Sequence, residues 1–119
     1  MQFNNKKPIY LQIKDIILKS IINKEYSLGD KIESVREIAN KFTVNQNTVL
    51  NSYKELENEN IIVLKRGIGY FVTEDDSLIK KIKKDLLNES IQDFLSNMKE
   101  LGYSLDETVE CIKEVYNND

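Results

Sequence analysis

Between Ser34 and Leu56 the chain reads SVREIANKFTVNQNTVLNSYKEL, and this stretch restricts the fold more than any other. Ser34 and Glu37 have the S-x-x-E spacing of a capping box: the hydroxyl takes one unpaired N–H of the first turn and the carboxylate reaches back to another. A helix therefore starts here. Asn45 supplies a second N-cap, its side-chain oxygen placed to accept the N–H two or three residues on. Ala39 falls on the inner face, where crossing helices leave little side-chain volume. Val44 follows the bend, and Val49 and Leu56 point back from the second helix. Two short helices with a tight bend and this placing of small and apolar residues form the pattern of a helix-turn-helix. Asn45, Gln46, Asn47 and Thr48 crowd the first turn of the second helix, which is the turn that reaches base edges when such a unit docks in a major groove.

The flanking segments extend the pattern. Residues 1–8 are a polar arm ending at Pro8, whose fixed φ suits the first position of a helix. Ile9, Ile13, Ile16, Ile17 and Ile21 then recur at helical spacing and predict a helix to about Asn23. Gly29-Asp30 is a turn signal, and Leu28 and Ile32 are expected to pin this loop to the core. Downstream, Ile61-Ile62-Val63-Leu64 and Tyr70-Phe71-Val72-Thr73 flank Lys65-Arg66-Gly67-Ile68-Gly69, which predicts a hairpin with a basic, glycine-containing turn. A helix-turn-helix followed by a hairpin is a winged helix, so the fold class is mainly α with a small β-hairpin. Tyr70 and Phe71 alternate faces on their strand. Phe71 is expected inward and Tyr70 toward a groove or solvent.

The acidic run at 74–76 closes this unit, and Ser77 is expected to cap a new helix. Leu78, Ile82, Leu86, Leu87, Ile91, Phe94, Leu95, Met98 and Leu101 follow at spacings of three and four. From Leu87 the series Leu87, Ile91, Phe94, Met98, Leu101 has the seam spacing of a coiled coil. Gly102 stops this helix as a C′ residue would. Ser104 and Glu107 form a second capping box, and Leu105, Val109, Ile112 and Tyr116 give the last helix an apolar stripe. Two helices of this size cannot enclose a large core alone, and a second copy of the chain is the most economical partner. The predicted division is residues 1–76, a winged helix-turn-helix, and residues 77–119, a helical dimerisation region whose contacts include Leu87, Ile91, Phe94, Met98, Leu101, Val109 and Ile112. Cys111 sits beside apolar neighbours and is expected to be a buried structural thiol.

Composition narrows the functions. The chain of 119 residues has no histidine and a single cysteine, which removes the commonest general base, the commonest metal ligand and any internal disulfide. No glycine loop precedes a helix in the way that cradles phosphates, so no catalytic residue, metal site or cofactor is expected. No apolar run approaches a membrane span, and the N-terminus lacks the apolar block of a signal peptide, so a cytoplasmic location is expected. The net charge of −3 speaks mildly against a nucleic-acid partner. Its distribution answers the objection: residues 1–76 hold eleven Lys and Arg against eleven Asp and Glu, and the acidity all lies beyond them.

With these motifs in view, the sequence resembles the GntR family of bacterial transcription regulators. The resemblance runs from about Pro8 to Val72 and rests on PIYLQI, LGDKIESVREIANKFTVNQNTV, YKELENENII and KRGIGYFV. The short two-helix C-terminal region and the VNxNTV motif resemble the YtrA-like branch, which lacks a large effector-binding domain. Such a resemblance implies a dimer bound to operator DNA, often controlling a neighbouring transporter operon. Arg36 matches the family arginine that contacts DNA near the start of the second helix, and Ser34 is taken as a DNA-binding residue with it. Asn45, Asn47 and Thr48 match contact positions of the recognition helix, and Gly67 and Gly69 match the wing tip that enters the minor groove. Gln46 and Leu50 stand where many members carry arginine, and Thr43 stands where glycine is frequent.

The residue chemistry assigns roles on that surface. Asparagine pairs bidentately with adenine N6 and N7, so Asn45, Gln46 and Asn47 predict adenine in the half-site. Asn47 is the strongest candidate because capping does not explain it. Lys54, Lys65 and Arg66 are assigned to phosphates, with Tyr70 beside the wing. The function read here is a homodimeric, sequence-specific regulator, acting as a repressor on near-palindromic double-stranded DNA. The alternative is a protein-interaction module on a winged scaffold that has lost DNA binding, favoured by the acidic balance. A small-molecule effector is compatible with either, and no residue pattern identifies one.

Overall fold

The computed structural model describes residues 3–119, so Met1 and Gln2 of the expected arm lie outside the described residues. The elements are helices α1 (Ile9–Ile22), α2 (Val35–Phe42) and α3 (Gln46–Asn58), strands β1 (Ile62–Lys65) and β2 (Gly69–Val72), and helices α4 (Asp76–Glu100) and α5 (Leu105–Asn118). The chain forms two compact units, Met1–Lys81 and Ile82–Asp119. The first turns of α4 group with the first unit. There Ile79 is buried and lines a cleft of about 530 Å³ with Ile21, Ile22 and Leu28.

In the first unit α1, α2 and α3 enclose a core of Ile13, Ile17, Ile21, Ile38, Ala39, Val49, Tyr53 and Leu56, closed by Ile61, Ile62 and Val72 of the hairpin region. Burying each large aliphatic side chain is worth about 1.5–3 kcal/mol, and this apolar cluster holds short helices that would be marginal alone. Pro8 is the N-cap residue of α1 rather than its first helical residue, and its carbonyl accepts from Leu11 and Gln12. The Ser52 hydroxyl donates to the Tyr10 carbonyl at 2.6 Å, and Lys14 pairs with Glu59, so α1 and α3 run in the same sense.

Four helices end in one type of closure. After α1 the N–H of Lys24 donates to the Ile21 carbonyl and that of Glu25 to Ser20. The same double bond recurs after α2 around Thr43, after α3 around Asn60 and after α4 around Gly102, which is the Schellman arrangement. It requires a left-handed residue, and φ is 64° at Lys24, 55° at Thr43, 62° at Asn60 and 84° at Gly102. Gly102 takes that conformation freely, whereas Thr43 is β-branched and holds it under strain.

The strands pair antiparallel in the register Ile62↔Val72, Val63↔Phe71, Leu64↔Tyr70 and Lys65↔Gly69. The loop before α2 adds a bridge from Lys31 to Phe71. The Ile32 N–H donates to the Tyr70 carbonyl at 3.0 Å, and the Val72 N–H to the Asp30 carbonyl at 2.8 Å. Ile32 is buried as expected, whereas Leu28 is 42% exposed and meets the core only at the cleft it lines with Ile21 and Ile79.

In the second unit Thr108 is the one buried residue. Asp75, not Ser77, caps α4: its carboxylate accepts the Leu78 N–H and the Ser77 hydroxyl. The Ser104–Glu107 capping box at α5 forms with both bonds present. Phe94, Met98, Cys111, Ile112, Val115, Tyr116 and Asp119 line a cavity of about 310 Å³. Cys111 is half-buried in it, which corrects the expectation of a buried thiol.

Candidate nucleic-acid interface

The expected recognition surface is built from local caps. At the start of α2 the Ser34 hydroxyl accepts the Glu37 N–H at 3.1 Å, and the Ser34 N–H donates to the Glu37 carboxylate at 3.0 Å. The Ser34 backbone N–H, and then its hydroxyl, hold the Glu37 carboxyl below the usual range. This fixes the first turn of α2, where Arg36 is exposed.

At α3 the Asn45 side-chain oxygen accepts the Asn47 N–H at 2.8 Å. That oxygen serves the helix, and a bidentate grip on adenine needs both the oxygen and the amine of one amide. Asn47, on the other hand, spends only its backbone N–H on the cap, and its side chain is exposed beside that of Gln46. Thr48 is half-buried, and Lys54 is exposed two turns further along.

At the wing the Ile68 N–H donates to the Lys65 carbonyl at 2.9 Å, closing a turn whose third residue, Gly67, has φ 78°. A left-handed φ at that position calls for glycine. Nothing lies within 4 Å of where a Gly67 Cβ would sit, so the tip is open. Lys65 and Arg66 are exposed at this tip, and the Lys65 ammonium stands 4.3 Å over the Phe71 ring.

Both aromatics are half-buried, so Phe71 lies less deep than expected and Tyr70 deeper. The register puts Tyr70 on the face of Ile62 and Val72, and Phe71 on the face of Val63 and Lys65. The Tyr70 ring meets the buried Tyr53 edge-on, and burial followed by the nearby Glu57 charge raises its phenol pKa. Tyr70 thus packs its ring against α3 and buttresses the wing.

One basic residue near this surface was not singled out from the sequence. Lys31 reaches the wing because its loop pairs with β2, and only the Gly29-Asp30 turn signal stood near it. Among the described residues no cluster of three His, Cys, Asp or Glu could hold a metal, and no helix is long and apolar enough to cross a membrane.

A helix-turn-helix with a capped polar recognition turn and a glycine-tipped basic wing defines a winged-helix DNA-binding protein. Residues 9–72 match the family model described as bacterial regulatory proteins, gntR family, and the chain belongs to that family. It is 42% identical over 112 residues to the HTH-type transcriptional regulator YhcF of Bacillus subtilis, covering 94% of this chain and 93% of that one. It is 36% identical over 113 residues to the HTH-type transcriptional repressor YtrA of the same organism, covering 91% and 84%. The fold is similar to a GntR family transcriptional regulator from Listeria monocytogenes, with a TM-score of 0.91, 38% identity and coverage of 94% and 98%. The chain is therefore a GntR-family DNA-binding transcription regulator, and its relatives are named as regulators rather than enzymes.

Proposed function

We propose that this regulator works as a cytoplasmic homodimeric repressor on a near-palindromic operator. The winged unit reads the DNA and the helical region from residue 77 onward joins two copies. Asn47 takes the adenine contact, with Gln46 and Thr48 beside it and Asn45 serving first as the cap. Arg36, Lys54, Lys65 and Arg66 grip phosphates, while the open Gly67 lets the wing tip, with Gly69 at its base, approach the minor groove. The repressor named among its full-length relatives supports the direction of control.

The observation that carries the reading is the exposed Asn47 amide at the N-terminal end of α3, held by a cap that leaves it unspent. The tail supports the dimer: Leu87, Ile91, Phe94, Leu101, Val109 and Ile112 are all exposed apolar residues, and Met98 is half-buried. Such a row in water calls for a partner. In a two-fold dimer the recognition helices would lie about one DNA turn, roughly 34 Å, apart.

Titration of a labelled duplex from upstream of its own gene, over a salt series, tests the proposal. Saturable binding that weakens steeply with salt is expected. Absence of binding at low salt would favour the protein-interaction module instead.

A further inference from the structure

The wing carries a cation that neither of its strands supplies. Lys31 lies in the loop before α2, yet it bridges to Phe71 across the edge of β2. Its stem crosses Gly69 closely: a Cβ on Gly69 would lie 3.0 Å from Lys31 Cε and 3.8 Å from Nζ. The absence of a side chain at 69 is what lets this stem pass, and the φ of 141° there also disfavours any other residue. Along the chain Lys31 stands three residues before the Ser34 cap of α2, and after the Ser34 hydrogen bonds its charge also lowers the Glu37 carboxyl pKa. Lys31 is exposed and takes part in no salt bridge among the described residues.

These contacts put one ammonium between the two parts of the surface that hold Arg36 and the Lys65–Arg66 tip. The Glu37 carboxylate of that helix start is already engaged by Ser34. An ammonium on a flexible stem is a point charge suited to a phosphate oxygen. We infer that Lys31 binds a backbone phosphate of duplex DNA between the α2 start and the wing, and so sets the position of the wing on the duplex. This rests on the DNA-binding reading of the same surface. The contact carries no base information, so it acts equally on every sequence.

The competing role is a strut, in which the stem matters and the charge does not. Lys31→Met separates the two, because it keeps an unbranched apolar stem and removes the ammonium; Lys31→Gln carries the same test should the methionine variant not fold. The full-length protein is titrated with two duplexes, one recovered by selection from a random pool and one of scrambled sequence. The variant is expected to lose about fivefold in affinity on both and to shrink the slope of log affinity against log salt by about 0.9. Lys31→Arg is expected to restore both. A variant with the slope and affinity of the unmodified protein would overturn the inference and leave DNA binding intact. An unmodified protein that binds neither duplex would remove the underlying reading, and this inference with it.

Discussion

The rings of Tyr53 on α3 and Tyr70 on β2 meet edge-on, with centroids 4.9 Å apart and planes at 81°. The Tyr53 hydroxyl donates to the Glu33 carbonyl at 2.6 Å. One buried side chain thus ties α3, the wing and the loop before α2, the three parts that make up the proposed DNA surface. Removing the Tyr70 ring by Tyr70→Ala is expected to lower stability by roughly 2 kcal/mol, through lost burial and the lost ring pair. Tyr70→Phe keeps the pair and is expected to leave DNA affinity unchanged. Urea unfolding and a binding titration check the two, and a large affinity loss in Tyr70→Phe would return the hydroxyl to the groove.

Thr43 holds φ 55° at the end of α2 with its side chain exposed. Relief of that strain outweighs the extra freedom glycine gains in the unfolded chain. Thr43→Gly is therefore expected to raise stability by roughly 0.5–1 kcal/mol, read as a higher thermal midpoint. A lower midpoint would show that the left-handed threonine is not strained.

Tyr26 and Tyr53 give stability an alkaline limit. Burial, then its hydrogen bond to the Glu33 carboxylate, raises the Tyr26 phenol; burial, then the Glu33 charge, raises that of Tyr53. Both folded-state values lie above the unfolded tyrosine value of about 10. The folded chain therefore holds more protons than the unfolded chain above that pH, and stability falls as pH rises through it. Thermal midpoints measured from neutral to strongly alkaline pH are expected to drop, with tyrosinate absorbance from these two rings appearing only on unfolding. Full tyrosine ionisation in a still-folded protein would contradict this.

Phe94 sits in the exposed apolar row of the tail and is 40% exposed. Phe94→Glu introduces a charge that a packed interface cannot solvate. The variant is expected to sediment as a monomer, to bind an isolated half-site as before, and to lose its preference for paired half-sites. A dimer of undiminished mass would take the interface elsewhere.

What the sequence disclosed followed from distance along the chain. The caps at Ser34, Asn45 and Ser104 and the stop at Gly102 are satisfied by residues a few positions away, and each appears in the structure with its bonds formed. The matching of Tyr70 and Phe71 to faces depended on the hairpin register, set by the turn that pairs Lys65 with Gly69. A one-residue difference in register exchanges the faces. Lys31 was hidden for a related reason, since its place beside Gly69 comes from a pairing with β2 far along the chain. The α4 cap shifted from Ser77 to Asp75 because the Asp75 carboxylate accepts both the Leu78 N–H and the Ser77 hydroxyl.

The base contact assigned to Asn47 is the centre of the account, and selection from a random duplex pool tests it most directly. The unmodified protein is expected to recover half-sites with adenine under the start of α3. Asn47→Ala should lose that preference, by about 1–3 kcal/mol of discrimination, with the salt slope retained. Recovery of G·C-rich half-sites, or an adenine preference that survives Asn47→Ala, would contradict it.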